Sequence, residues 1–196
     1  FRRVLFRSAY KEMFQKAFGA AASEDTIGRA LGAFLRTLRS GNSAFDRWVS
    51  KKDSNALSAA QQDGFRLFAG KAGCIVCHMP SLFSDRRFHN TGIGMDAAKP
   101  DPGAGGEKAL NDPKFLGAFK TPSLRNVAKT APYFHDGSVA TLRDAVKFMA
   151  GGGKDNPNKD PLMIDRKLSD QEIDQLVAFL ESLTGEDTFT PPVVPK

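Results

Sequence analysis

Apolar residues recur along this chain at three- and four-residue spacing, in separate runs divided by polar stretches. Tyr10, Met13, Phe14, Ala17 and Phe18 form the first run, with Gly19 placed to end a helix. Ile27, Ala30, Leu31, Phe34, Leu35 and Leu38 make a stronger stripe that stops at Ser40-Gly41. Ser58 followed three residues later by Gln61 is a capping box that opens a helix carrying Phe65, Leu67 and Phe68 and closing at Gly70. Thr141 with Asp144 opens another, in which Leu142, Ala145, Val146 and Met149 share one face before Gly151-Gly152-Gly153. Ser169 with Glu172 opens the last, with Ile173, Leu176, Val177, Leu180 and Leu183 facing inward until Thr184-Gly185. No run alternates as a strand would, so the pattern predicts an all-α fold.

Between these runs the chain is irregular. Residues 41–57 are polar with Trp48 as their apolar anchor, residues 154–167 read as loop, and Pro191-Pro192-Val193-Val194-Pro195 as an extended tail. From about Pro80 to Thr121 glycine, proline, aspartate and asparagine break every period, and Asp101-Pro102-Gly103-Ala104-Gly105-Gly106 is a turn cluster. So long a structureless stretch in a compact domain implies that it wraps something. The expected organisation is a helical segment over 1–50, a helical domain with long wrapping loops over 51–185, and an extended tail over 186–196.

Composition narrows this modestly. With 196 residues, 41% of them hydrophobic, the chain can bury one core. The net charge of +6 is spread without a Lys/Arg block, which argues against nucleic acid and gives weak support for an acidic partner. No apolar stretch approaches the roughly 18 residues of a membrane span. Phe1-Arg2-Arg3-Val4-Leu5-Phe6-Arg7 is too short and too charged for an export core and has no initiator Met, so Phe1 reads as the start of a fragment or processed form.

The decisive chemistry lies in Cys74-Ile75-Val76-Cys77-His78, which uses both cysteines of the chain. C-x-x-C-H is the attachment signature of a c-type haem: the thiols add to the two vinyl groups and the histidine becomes an axial iron ligand. A redox C-x-x-C would need a βαβ context that is missing. Zinc would have to recruit His89 and His135 from far apart. One covalently bound haem c is therefore expected, and with it an extracytoplasmic, periplasmic compartment, because such proteins are generally matured after export.

His78 leaves one face of the iron open. Met13, Met79, Met95, Met149, Met163, His89, His135, Tyr10 and Tyr133 are the candidates, and Met79 is too close to His78 to cross to the opposite face. Met149 lies on a capped helix, where it is as readily a core residue as a ligand.

Thr121-Pro122-Ser123-Leu124-Arg125-Asn126-Val127-Ala128-Lys129-Thr130-Ala131-Pro132-Tyr133-Phe134-His135-Asp136-Gly137-Ser138 resembles the signature of the bacterial di-haem cytochrome c peroxidases and their MauG-type relatives. Phe45-Asp46-Arg47-Trp48, Ala56-Leu57-Ser58 and Phe88-His89-Asn90-Thr91-Gly92 resemble the same family, so that the likeness is collinear over about residues 9 to 185. It implies the C-terminal, electron-entry haem domain, which accepts electrons from a small cytochrome c or cupredoxin. These pass to a second, peroxidatic haem domain that precedes this region, where hydrogen peroxide is reduced to water. It further implies Met149 as the second axial ligand, where MauG-type members that do other oxidative chemistry have a tyrosine. A calcium ion shared between the domains is implied on the main-chain carbonyls of Thr130 and Pro132, and a homodimer is compatible with the family. Other readings are a stand-alone mono-haem carrier or redox subunit, and a MauG-like protein-modifying enzyme. His135 could contact a haem propionate or be structural, and Arg125 and Lys120 could neutralise propionates. Trp48 is expected to be a core or interface anchor.

Overall fold

The computed structural model describes residues 8–50, 53–107 and 112–187. The Phe1–Arg7 opening and the Pro191–Pro195 tail lie outside the described residues. Two compact units divide the chain, one made of residues 1–40 with 186–196 and the other of residues 41–185.

The first unit contains α1 (Ser8–Phe18) and α2 (Glu24–Thr37). Gly19 ends α1 at φ +66°, the left-handed conformation glycine adopts without strain. Ser23 and buried Thr26 cap α2 reciprocally through side chain and backbone. On the apolar stripe of α2, Leu31 and Leu35 are 51% and 62% exposed.

In the second unit, α3 (Ala44–Ser50) occupies part of the segment expected to be a polar linker. Ser43 caps it: its hydroxyl accepts from the Asp46 N–H, while the Asp46 carboxylate accepts from the Ser43 N–H. The helix is too short to show a period, yet it contributes Phe45, which is buried, whereas Trp48 is only partly buried against the core. The helices α4 (Ala59–Ala69), α5 (Leu142–Ala150) and α6 (Asp170–Glu181) complete the set. The capping boxes at Ser58 and Ser169 form as expected. At Thr141 the hydroxyl accepts from the Asp144 N–H and bonds the Asp144 carboxylate directly.

The core is aromatic. Phe179 of α6 lies 5.0 to 6.2 Å, between ring centroids, from Phe45, Phe65, Phe68 and Phe83, in tilted and edge-on pairs. Leu57, Leu176, Leu180 and Leu183 fill around them. Helices α4 and α6 pack closely because Gly64 has no side chain: a Cβ there would sit 2.0 Å from the Gln175 carbonyl oxygen and 2.7 Å from Phe179 Cβ.

The irregular stretch carries short 3-10 turns and one two-residue antiparallel ladder, Phe88–His89 against Phe119–Lys120. Such fragments leave the fold all-α. Asn90, buried within the stretch, donates to the Leu116 carbonyl at 2.8 Å and to Asn156 at 3.0 Å, and accepts from the Gly92 N–H at 2.8 Å.

Gly64→Ala is expected to destabilise the second unit by about 1–3 kcal/mol, the usual cost of overpacking, despite the roughly 1 kcal/mol by which alanine is favoured in a helix. The clashing atom is a backbone oxygen, which cannot swing away. A thermal melt that leaves the midpoint unchanged or raised would refute the close approach.

Arg125 makes a second cross-tie. Its guanidinium donates to both carboxylate oxygens of Asp46 at 2.9 and 3.0 Å and to the Ser81 carbonyl at 2.8 Å. Burial pushes the Asp46 carboxyl up, but Arg125 and Ser43 outweigh it and hold the group below its ordinary value. A depressed carboxyl stabilises the fold above its unfolded value, about 3.9, and that contribution fades as pH falls through the folded value. Asp46→Asn should therefore cost about 1–3 kcal/mol at pH 7, with the gap to the parent closing in acid. A gap that stays constant between pH 7 and pH 3 in denaturant melts would contradict this.

Candidate functional site

Gly73, at φ +65°, turns the chain out of α4 and into the 3-10 turn Cys74–Val76. The turn closes with the His78 N–H donating to the Cys74 carbonyl at 2.9 Å, so Cys74, Cys77 and His78 share one helical turn. That spacing lets two thiols and an imidazole address one planar group together.

His78 is oriented from the core. Its Nδ1 lies 2.8 Å from the Phe83 carbonyl oxygen. A carbonyl only accepts, so Nδ1 carries the proton and Nε2 keeps its lone pair. Burial lowers the pKa of His78, the Phe83 bond opposing, which favours the neutral ring. A metal-ligating histidine needs both features. The side chain of Phe83 is fully buried against Phe45, Phe68 and Phe179, so the carbonyl holding the imidazole is fixed by the aromatic core.

Burial pushes both thiols up to about 11; for Cys77 the charges of Asp85 and Asp160 add to it. Neither cysteine is in a disulfide. Thiols held protonated are poor nucleophiles at neutral pH.

The zinc reading needs one correction. His89 is not remote: Cys77, Asp85 and His89 offer ligand atoms within 4.8 Å of one another. His135 is elsewhere, stacked on Phe119 with centroids 3.6 Å apart. Both ring nitrogens of His89 are engaged, Nε2 with Asp85 at 2.9 Å and Nδ1 with Asp160 at 2.5 Å. Burial alone would lower its pKa, but the two carboxylates raise it above the ordinary value. Asp85, pushed up by burial, is brought down to about 2 by the Arg87 N–H, His89 and Thr121. These acids carry no sequence signature, since Asp160 lies 71 residues from His89.

Met149 occupies the last turn of α5 and is half-buried. The following glycines fold the chain back tightly: the Gly152 N–H donates to the Met149 carbonyl, and a Cβ on Gly153 would meet the Thr91 carbonyl oxygen at 2.2 Å. The Arg166 N–H then bonds the Ala150 carbonyl at 2.8 Å, while its guanidinium lies against Gly73 beside Cys74. Arg166, which belongs to no sequence motif, thus bonds the end of the Met149 helix through its backbone and packs its guanidinium beside the attachment turn.

The other candidates for the open axial position are placed as follows. Met13 and Met79 are each 52% exposed. Met95 packs over Gly117, and Met163 reaches toward Gly153. Tyr133 is buried with its hydroxyl donating to the Val127 carbonyl at 3.1 Å. Arg125, expected near propionates, is instead committed to Asp46, and Lys120 donates to the Thr121 carbonyl at 3.0 Å. Thr130 and Pro132 lie on an exposed turn just after the 3-10 turn Val127–Lys129. Their carbonyls are hard donors, though two are too few for a calcium ion without ligands from elsewhere. Among the described residues, no helix is long and apolar enough to cross a membrane.

Comparison with known proteins agrees with this geometry. The family described as cytochrome c matches residues 61–184, and the family described as di-haem cytochrome c peroxidase matches residues 1–54. The methylamine utilization protein MauG of Methylorubrum extorquens is 40% identical over 90% of this chain and 50% of its own length. The cytochrome c551 peroxidase of Nitrosomonas europaea is 34% identical over 95% of this chain and 53% of its own. A crystal structure of a MauG-like protein associated with microbial copper homeostasis matches with a TM-score of 0.77 at 33% identity, covering 94% of this chain and 61% of that one. The chain spans about half the length of the curated relatives it matches. With a cytochrome c domain built around Cys74, Cys77 and His78, it belongs to the family of di-haem cytochrome c peroxidases and MauG proteins.

Proposed function

We propose that this chain is the electron-entry domain of a periplasmic di-haem cytochrome c peroxidase. One observation carries the reading. His78 presents Nε2 from a ring locked by the Phe83 carbonyl, one turn from two thiols that are free to become thioethers. Bound there, haem c supplies one-electron iron chemistry. Cys74 and Cys77 would tether it, and His78 and Met149 would supply its two protein ligands. A thioether opposite an imidazole favours a relatively high potential and occupies both axial positions, which suits electron transfer and hinders peroxide.

In this reading a small cytochrome c or cupredoxin donates electrons, and hydrogen peroxide is reduced to water at the haem of a preceding domain. The Thr130 and Pro132 carbonyls hold part of a calcium site shared with that domain. The relative named MauG motivates a second reading, protein modification by high-valent iron. Met149 weighs against it, since the resemblance places a tyrosine there in such enzymes.

Attachment through both cysteines implies one covalent haem per chain. Replacing Cys74 and Cys77 by Ala should leave haem extractable by acidified organic solvent; a parent chain whose mass shows two covalent haems would overturn the count. Ferric protein should show the weak near-infrared sulfur-to-iron band, and Met149→His should abolish it and lower the potential. Retention of band and potential in Met149→Leu would move the ligand elsewhere.

The 196-residue chain should exchange electrons with reduced cytochrome c yet turn over hydrogen peroxide hardly above an ordinary c-type cytochrome. Adding the preceding domain with calcium should raise turnover, read as steady-state oxidation of cytochrome c. Fast turnover by the chain alone, with one haem confirmed, would mean that Met149 leaves the iron readily or never binds it.

A further inference from the structure

The loop that follows Met149 is fastened to the attachment motif through a buried charge cluster. Behind His78, the Asp85 N–H donates to the Cys77 carbonyl at 2.7 Å, which ties Asp85 to the motif backbone. Asp85 holds Nε2 of His89, and Asp160 holds Nδ1. Asp160 belongs to the loop after Met149, and its own N–H donates to the Asn90 carbonyl at 2.9 Å. The same loop returns to α5 where the Arg166 N–H meets the Ala150 carbonyl. His89 is therefore the joint between the motif carrying one axial ligand and the loop that buttresses the other.

The chemistry of the joint fixes its charge. Each ring nitrogen faces a carboxylate oxygen, and with both carboxylates ionised, and so able only to accept, both nitrogens carry protons. Losing either proton would turn a nitrogen lone pair toward a carboxylate and open the bridge at that end. All three side chains are largely buried, so water screens the cluster less than it would a surface pair.

We propose that His89 is a positioning residue for Met149: as an imidazolium bridging Asp85 and Asp160, it latches the loop after α5 to the attachment motif and keeps the methionine on the iron. This rests on the axial role given to Met149 above. The groups facing His89 are Asp85 from the turn after the motif, Asp160 from the loop, and Cys77 from the motif, whose sulfur would become a thioether; His78 of the motif is also near enough for the two imidazoles to disfavour each other's positive charge. Lys120, opposite Phe88 on the paired strand, is engaged with the Thr121 carbonyl, and Arg166 lies toward Cys77. The two carboxylates raise the pKa of His89 against the effect of burial. The latch is thus fully closed below the ordinary histidine value of about 6.5 and opens as pH rises through the raised one.

The test uses the full chain with its haem covalently attached, mixed in ferric form with imidazole in a stopped-flow instrument. At saturating imidazole the observed rate reports how fast the intrinsic sixth ligand leaves. The parent should open slowly near neutral pH and progressively faster in alkali. His89→Asn should open at least tenfold faster at pH 7 and lose the pH dependence over that range. Asp160→Asn, which keeps side-chain shape while removing one carboxylate, should shift in the same direction and serves as the second variant if His89→Asn loses its fold. Parent-like rates and pH profiles in both variants, on a protein whose sulfur-to-iron band Met149→Leu abolishes, would overturn the latch alone. A Met149→Leu variant that keeps the band and the parental imidazole kinetics would overturn the axial assignment and the latch with it.

Discussion

The hydrogen bond from His78 to the Phe83 carbonyl is the constraint on which the rest of this structure turns. A metal-binding imidazole must point one nitrogen at the metal and keep its proton on the other, and a backbone carbonyl imposes both conditions at once. That carbonyl is only as rigid as the residue that bears it. Phe83 is anchored by a buried ring set among Phe45, Phe68 and Phe179, with the Arg125 guanidinium 5.8 Å above its centroid. Arg125 is in turn held by Asp46, a residue of α3. The orientation of one side chain thus depends on packing that reaches back to a helix nearly forty residues upstream in the sequence. A cavity opened at Phe45 or Phe179 would be felt as a loosened imidazole as well as a lost core contact.

The sequence revealed those parts of this arrangement that are governed by local rules. Helices with a Ser cap and a Gln or Glu three residues on, at Ser58 and Ser169, were readable because that box is written in adjacent residues. The equivalent device at Ser23 with Thr26 was not, because Thr replaces the usual Gln or Glu, and that at Ser43 with Asp46 was not, because the helix it opens is too short to show a period. The stripe on α2 was a sound reading of periodicity and a poor guide to burial: period says which face is apolar, while another surface must exist to cover it. The attachment motif named its own chemistry. By contrast, Met149 stood out from other methionines only through the resemblance to a family, since nothing local separates a ligand from a core thioether. The cluster of Asp85, His89 and Asp160 was invisible for a different reason. It is assembled by the return of a loop 71 residues away, and no pattern within either segment requires the other.

The long irregular segments contain few large apolar groups of their own, which raises the question of what holds them in place. Backbone contacts supply much of the answer. Where the Phe88–Gly92 run meets the glycines after Met149, the Lys154 N–H bonds the Thr91 carbonyl at 3.0 Å, and side chains at Gly92 or Gly153 would collide with backbone oxygens 2.0 and 2.2 Å away. Gly103 approaches the Ala118 carbonyl in the same manner. Glycine here lets two stretches of chain satisfy one another's hydrogen bonds directly, so the loops acquire fixed positions without a hydrophobic core.

That mode of construction bears on why charge appears so close to the attachment turn. A loop held by backbone hydrogen bonds is stabilised by about 0.5–1.5 kcal/mol net per bond, so local opening is cheap compared with opening the aromatic core. Adding a doubly bonded imidazolium between two carboxylates raises that cost where it matters, next to the turn bearing His78 and at the base of the loop behind Met149. An apolar contact could have supplied similar stability, but it would not respond to pH, and it would need bulk where glycine backbones already lie almost in contact. A charged joint fits the narrow space and adds directionality, since both carboxylates must be in register for the bridge to close. The cost is that the joint fails as a unit: loss of one proton or one carboxylate leaves the remaining groups buried and mismatched. On the proposed ligation, the methionine side is in this sense conditional on protonation, while the orientation of His78, fastened to Phe83 and the core, is not.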